Sequence, residues 1–253
     1  MIIIGNKKVD TDKIVSKNKL IDIQLKIIRI LESSKINYSY DTEEQLLFEL
    51  MLRNEIVKAS KQLAARRIKF TTFNFSRCNT RYWNRGNDGG FFMKSFVTPS
   101  DAINDVFVNS HLYATECSTA IVIVYYKALL NVFGAKAFNR IFTDIKVKGW
   151  KYLSEYISEI KSMEKYADNL PGDRRYVINP DVNPRYPESQ GENVIEMGNN
   201  LYYGHGIGIT SMQNIIKNLN KYRKRGAKKS VFLMDSAASP NFKLLADVYY
   251  SVR

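Results

Sequence analysis

One stretch constrains this chain more than any other: Tyr113-Ala-Thr-Glu-Cys-Ser-Thr-Ala-Ile-Val-Ile-Val-Tyr-Tyr-Lys-Ala-Leu-Leu130, in which a polar cluster opens what reads as a strongly apolar helix. The longest apolar run within it, Ala120 to Tyr126, is broken by Lys127 and is too short to span a bilayer, so the helix is expected inside a fold. Thr115 is a candidate N-cap, which would place Cys117 at the second helical position. The unpaired N–H groups and positive end of a helix favour a thiolate there, making Cys117 a usable nucleophile. A free cysteine also serves as a small core hydrophobe, and the choice between the two readings needs a base.

Two histidines could supply one, His111 and His205. His205 lies in Gly191-Glu-Asn-Val-Ile-Glu-Met-Gly-Asn-Asn-Leu-Tyr-Tyr-Gly-His-Gly-Ile-Gly-Ile209, which reads as a hairpin: apolar residues flank the turn cluster Gly198-Asn199-Asn200. A two-residue loop at Gly198-Asn199 sets Glu192 opposite His205. A loop at Asn199-Asn200 makes them diagonal neighbours on one face, and a three-residue loop separates them. The expected pair is therefore a carboxylate beside an imidazole; the alternative is a solvated Glu and a His hydrogen-bonded at a strand end.

Around these segments the chain alternates helices with short strands. Asp41-Thr-Glu-Glu44 resembles a capping box opening a long helix with Leu47, Leu50, Val57 and Ala64 on its core stripe. Ile68–Phe75 and Phe91–Val97 read as two strands of a hairpin separated by Asn87-Asp-Gly-Gly90. A second helix is expected around Ala135–Ile141, a charged helix near Tyr152–Tyr166, and a Pro-rich loop from Pro171 to Pro187. Thr210-Ser-Met-Gln213 reads as a further capping box, its helix stopping at Gly226, with strands near Val231–Met234 and Val248–Val252.

A chain of 253 residues, 45% hydrophobic, can bury a core without metals or disulfides. No Pro/Gly/Ser-rich linker or repeat divides it, so residues 1–253 are read as one catalytic domain. Met1-Ile-Ile-Ile4 is too short for a signal-peptide apolar region and precedes its lysines, so cytoplasmic synthesis is expected. Two cysteines, Cys78 and Cys117, make no disulfide framework, although a bridge between them would silence the nucleophile. A net charge of +13 allows nucleic-acid binding, steering toward acidic protein assemblies, or plain solubility. The best nucleic-acid patch, Lys221-Tyr-Arg-Lys-Arg-Gly-Ala-Lys-Lys229, equally suits solvated cations at a helix end, and no specific nucleic acid is expected.

The stretches Ala114-Thr-Glu-Cys-Ser-Thr-Ala-Ile-Val-Ile-Val-Tyr-Tyr126, Gly191-Glu-Asn-Val-Ile195 and Gly204-His-Gly-Ile-Gly-Ile209 closely resemble the small spore-coat transglutaminases of Bacillus and related spore formers. Phe48-Glu-Leu-Met-Leu-Arg53, Lys69-Phe-Thr-Thr-Phe73, Gly172-Asp173, Asn179-Pro180 and Tyr222-Arg-Lys-Arg-Gly226 carry the resemblance through most of the chain. It implies Cys117 as nucleophile with Glu192 and His205 completing the catalytic centre. It also implies an α+β, minimal papain-like (NlpC/P60-like) fold with the nucleophile at a helix start packed on an antiparallel sheet. The chemistry would be glutamyl-lysine cross-linking through a Cys thioester, on spore coat proteins carrying Gln and Lys, after synthesis in the mother cell and deposition on the coat.

Ser189-Gln190 stand where relatives carry a Trp-Arg pair, which removes a bulky aromatic near the presumed entrance. Phe70, Trp150 and Tyr176 are candidate walls of a substrate passage, apolar surface that would favour an amine over water. No Asp-x-Asp-x-Asp-Gly loop is present, so neither calcium nor any other cofactor is expected. The competing functions are a cysteine peptidase or amidase using the same three residues on water, and a non-catalytic coat scaffold.

Overall fold

The computed structural model describes residues 1–157, 159–162 as backbone only, and 168–253. The chain opens with β1 (Ile2–Ile4), β2 (Lys7–Lys8), α1 (Thr11–Asn18), α2 (Asp22–Ser33) and β3 (Tyr38–Tyr40). β1 pairs antiparallel with β2 and parallel with β3, and Ile14, Ile27, Ile28 and Leu31 of the two helices close a small core beneath them. Helix α3 (Glu43–Ala64) then starts at the expected place, with the Thr42 hydroxyl accepting from the Gln45 N–H. Its apolar residues are not confined to one stripe. Leu46 and Leu50 join the small core while Phe48, Leu52 and Ile56 enter the main one, so α3 is buried on two sides and links the two cores.

Next come β4 (Lys69–Phe70), β5 (Trp83–Arg85), β6 (Phe91–Met93), α4 (Pro99–Val108) and β7 (Ala114–Thr115). The anticipated hairpin of Ile68–Phe75 with Phe91–Val97 does not form. The Gly86–Gly90 turn joins β6 to its immediate predecessor β5, Phe73–Phe75 is a single 3₁₀ turn, and β4 pairs in parallel with β7.

Helix α5 (Cys117–Ile141) runs through the main core, with Ala120–Tyr126 all buried; it continues past a kink at Gly134 (φ 72°, ψ 158°) into the segment expected as a second helix. It is the one helix among the described residues long and apolar enough to cross a membrane, and it is packed inside the protein. After β8 (Lys146–Val147), the expected charged helix is replaced by a 3₁₀ turn at Glu155–Ile157 and strand β9 (Glu159–Ser162); residue 158 and the rest of that expectation fall outside the described residues. Pairing with a sheet edge overrides local helix preference here.

The sheet is built from β10 (Arg174–Ile178), β11 (Gly191–Gly198), β12 (Leu201–Gly204), β13 (Gly208–Ser211) and, beyond helix α6 (Met212–Asn220), β14 (Phe232–Pro240). Its order is β13-β12-β11-β10-β14-β9, antiparallel throughout. β10 lies within the expected Pro-rich loop, because a paired strand needs only five residues between prolines. Strand β11 is buried along its whole length. Ile195 and Met197 face the main core, whereas Val194 packs with Val177, Tyr202 and Ile215 beneath α6. α6 is capped by Ser211 rather than Thr210 and ends at Asn220, short of Gly226. The chain finishes in α7 (Phe242–Ser251), not the expected strand: Phe242, Leu245, Ala246 and Tyr249 recur at helical spacing, and Asn241 caps the start.

Candidate active site

β7 delivers the chain to the start of α5, and Glu116, not Thr115, is the N-cap. The Glu116 carboxylate accepts from the Ser118 N–H at 2.5 Å, the Ser118 hydroxyl at 2.7 Å and the Thr119 N–H at 2.7 Å. Cys117 is consequently the first helical residue, half-buried, with a free thiol, as is Cys78.

The helix start does not leave this thiol acidic. Burial pushes it up to about 12, the Glu192 charge adds to that, the backbone N–H and side-chain amide of Asn193 oppose it, and the Glu116 charge raises it further. Desolvation and two carboxylates outweigh the helix terminus. Glu192 shares the reason: burial holds its carboxyl well above the usual carboxylate range against the lowering effect of the His205 backbone N–H, and the Glu116 charge raises it as well. Its Oε1 is buried without a hydrogen-bond partner among the described residues.

The hairpin turns at Asn199-Asn200, both left-handed (φ 55° and 58°), with Gly198 level with Leu201. A bulge at Met197 then moves the ladder by one, so that Glu196, Ile195 and Val194 face Tyr202, Tyr203 and Gly204. Continued, this register brings Asn193 level with His205 and leaves Glu192 one residue out of step, the offset that turns two side chains to opposite faces. β12 ends at Gly204, and the expected side-by-side imidazole and carboxylate give way to a different contact, in which the His205 backbone N–H meets the Glu192 carboxylate. The imidazole points elsewhere. Its Nε2 is 3.3 Å from the Lys69 carbonyl and its Nδ1 3.4 Å from the Tyr203 hydroxyl, and burial lowers its pKa to about 4, opposed by the backbone of Lys69 and Thr115.

Two cavities flank these groups. The larger, about 580 Å³, holds Cys117 with Trp150, Tyr176, Asn193 and Arg174; the smaller, about 240 Å³, holds Glu192 and His205 with Tyr222. Phe70 and Glu188 line both. Phe70, Trp150 and Tyr176 thus share the Cys117 cavity, while Ser189 faces the smaller space and Gln190 the larger. Gly206 (φ 85°) is required where it stands, because a Cβ there would lie 2.7 Å from the Cβ of Phe70 and displace that ring from the His205 turn.

Two neighbours of the thiol lay outside the sequence reading. Asn193 donates its Nδ2 to the Cys117 Sγ at 3.4 Å, and Arg174 Nη1 donates to Asn193 Oδ1 at 3.1 Å. Asn193 sat in the motif already singled out; Arg174 was hidden by the assignment of its strand to a loop.

The comparisons with known proteins agree with one another. Residues 1–249 match the sequence profile of the protein-glutamine gamma-glutamyltransferase family. A protein-glutamine gamma-glutamyltransferase of Bacillus cereus is 39% identical over 221 residues, 87% of this chain and 79% of that protein. One from Bacillus mycoides is 40% identical over 210 residues, 83% of this chain and 75% of that protein. The solved structure of a transglutaminase from Geobacillus stearothermophilus without its C-terminal extension superposes with a TM-score of 0.78 at 48% identity, covering 82% of this chain and 98% of that one. A half-buried thiol at a helix start, with a buried carboxyl acting on it and a cavity beside each, therefore sits in a chain that belongs to the protein-glutamine gamma-glutamyltransferase family, a transglutaminase acting on the glutamine and lysine side chains of proteins.

Proposed function

We propose that Cys117 and Glu192 form the reacting pair and that His205 positions Glu192 from its backbone while its ring stays neutral. The observation that carries this reading is the division of partners. Glu192 has a buried oxygen without a partner among the described residues and its charge acts on the thiol, whereas both nitrogens of His205 already face Lys69 and Tyr203. In the reactive form one proton is shared: the thiol proton passes to the Glu192 carboxylate as Sγ attacks the γ-carboxamide carbon of a glutamine. The tetrahedral oxyanion is held by backbone N–H groups including that of Cys117. Glu192 then gives its proton to the departing nitrogen, releasing ammonia and leaving a thioester and a carboxylate. A lysine amine attacks the thioester, Glu192 takes the amine proton, the isopeptide leaves as the C–S bond breaks, and the proton returns to sulfur to restore the thiol–carboxylate pair. The walls provided by Phe70, Trp150 and Tyr176 keep water from the thioester, which favours transfer over hydrolysis.

The same reading makes residues 1–253 one catalytic domain with a minimal papain-like arrangement, supported by the helix-borne nucleophile packed on an antiparallel sheet. It makes the enzyme independent of calcium, supported by the lack of an acidic Asp-x-Asp-x-Asp-Gly loop in the sequence. It places the protein on the spore coat after synthesis in the mother cell, supported by the resemblance to spore-coat enzymes and by a net charge of +13 that draws it to acidic assemblies. The test of the activity is incorporation of a fluorescent primary amine into casein with and without chelator, for the native chain, Glu192→Gln and His205→Asn. Chelator-resistant labelling, abolished by Glu192→Gln and only reduced by His205→Asn, is expected; the opposite ranking of the two variants would assign the proton transfer to His205. Extraction of a tagged chain with the coat fraction of sporulating cells tests the location.

A further inference from the structure

We propose that Asn193 is a catalytic residue, supplying two hydrogen-bond donors to the reacting sulfur, and that Arg174 is the positioning residue that decides which end of the Asn193 amide faces it. This rests on Cys117 being the nucleophile. The Cys117 sulfur has a carboxylate on either side, Glu116 at the helix cap and Glu192 on β11, and the phenol of Tyr176 also faces it. Both carboxylates oppose a negative sulfur. Asn193 alone of the neighbours described offers both its backbone N–H and its side-chain NH₂ to Sγ, the latter at 3.4 Å. An amide, however, has an acceptor end and a donor end that are nearly identical in shape, and an unguided Asn could turn its carbonyl to the sulfur and destabilise the thiolate.

Arg174 removes that choice. A guanidinium has donors only, so the amide atom 3.1 Å from Arg174 Nη1 is the carbonyl oxygen, and the atom left for sulfur is NH₂. Arg174 is in turn held by Trp150, with its guanidinium carbon 4.7 Å from the ring centroid. The cross-strand pair Tyr176 opposite Asn193 fixes the backbone from below. The aromatic wall of the cavity and the thiol are thereby connected through two side chains. Trp150 acts on the chemistry through Arg174 as well as by excluding water.

The experiment uses the full chain in a Cys78→Ser background, so that one thiol reports. Iodoacetamide alkylation against pH is measured beside amine incorporation and melting temperature for Asn193→Asp, Asn193→Ala, Arg174→Met and Arg174→Lys. Loss of donors to a thiolate slows alkylation at neutral and mildly alkaline pH about ten- to a hundredfold in the Asn193 variants, a shift of the whole rate–pH line. Arg174→Met shows a smaller shift of the same sign, Arg174→Lys recovers part of it, and Arg174→Met adds little once Asn193→Ala is present. Unchanged alkylation profiles in folded Arg174→Met and Asn193→Ala would overturn the proposal even if turnover fell. Should an Asn193 variant fail to fold, the Arg174 pair decides alone. Cys117→Ala in the same background separates the two levels: if it still incorporates amine, the nucleophile itself is wrong, whereas an inactive Cys117→Ala with unaltered profiles in the other variants rejects only the roles of Asn193 and Arg174.

Discussion

Two buried groups of charged residues lie in this protein, and they are solved in opposite ways. On α3, Arg53 gives Nε to Glu49 at 2.7 Å and Nη1 to Asp173 at 2.7 Å and to the Pro171 carbonyl at 3.1 Å, while Glu49 also accepts from the Tyr40 hydroxyl at 2.9 Å. A guanidinium stands between two carboxylates, and a further face of it lies 4.6 Å from the ring centroid of Phe242. At the active site the carboxyl of Glu192 is set beside a thiol instead, and the nearby charge that acts on it is another carboxylate, that of Glu116. The first group is tied together by its guanidinium, joining α3 to the loop before β10, although burial still outweighs Arg53 and raises the Asp173 carboxyl to about 6. The second is left unneutralised, so that a proton can reside on either sulfur or oxygen. Burial is common to both, and the partner decides whether it produces rigidity or chemistry.

Replacing members of the two groups should therefore give contrasting phenotypes. The largest effect is expected from Cys117→Ala: amine incorporation falls by about 10⁴-fold or more with the melting temperature nearly unchanged, because one small group at a helix start is removed. Residual turnover near the native level would show that Cys117 is not the nucleophile. Glu192→Gln should cost about 10²- to 10⁴-fold in turnover at nearly constant stability, measured by kcat for casein labelling beside a thermal melt. Arg53→Met should do the reverse, lowering stability by about 3–5 kcal/mol in urea titration by stranding two carboxylates, while the remaining folded fraction keeps its specific activity. If Arg53→Met left stability intact, the contrast between the groups would collapse.

His205 gives a subtler difference. Its pKa falls from 6.5 to about 4 on folding, so the unfolded chain binds more protons between these values. Its contribution to stability is complete above pH 6.5 and declines as pH falls toward 4, by about 3 kcal/mol in all. Comparing urea midpoints at pH 7 and pH 4.5 for the native chain and His205→Gln should show a shallower decline in the variant. An equal decline would mean that other groups govern acid sensitivity. The smallest effect belongs to Cys78→Ser. That thiol is pushed up to about 11 by burial, outweighing Arg85 and Lys94, and it lies outside both active-site cavities. Labelling should stay within about twofold of native, with any loss appearing in the melt, since Cys78 packs against the main core.

Much of this was legible in the order of residues. The polar-to-apolar switch at Cys117 marked both the helix and its start to within one position, because capping chemistry and an unbroken apolar run act locally. Glu192 and His205 could be placed on one hairpin from the turn cluster alone. Their actual relation could not, since the bulge at Met197 depends on how β11 settles between two cores, and a one-residue slip changes which side chains meet. The rise of the Cys117 thiol was equally hidden: a helix N-terminus is visible in sequence, whereas the packing that removes water from it is tertiary. Arg174 went unseen for a related reason, its strand lying among prolines that read as loop. At the C-terminus the error was one of period, with Phe242, Leu245 and Tyr249 spaced for a helix.

Helix α5 has a bearing on how long the enzyme lasts. A segment apolar enough to cross a bilayer is kept from water by its neighbours, and the nucleophile sits on its first turn. Any opening wide enough to uncouple α5 from α3 and β11 exposes that segment and spoils the reacting centre together. Association of exposed helices competes with refolding, so the expected outcome on heating is a one-way loss of activity set by the rate of opening. The working lifetime of this catalyst is accordingly a kinetic quantity, dependent on scan rate and on protein concentration, and substitutions that tighten the α3–α5 contact should lengthen the half-life at a given temperature while leaving turnover per intact molecule unchanged.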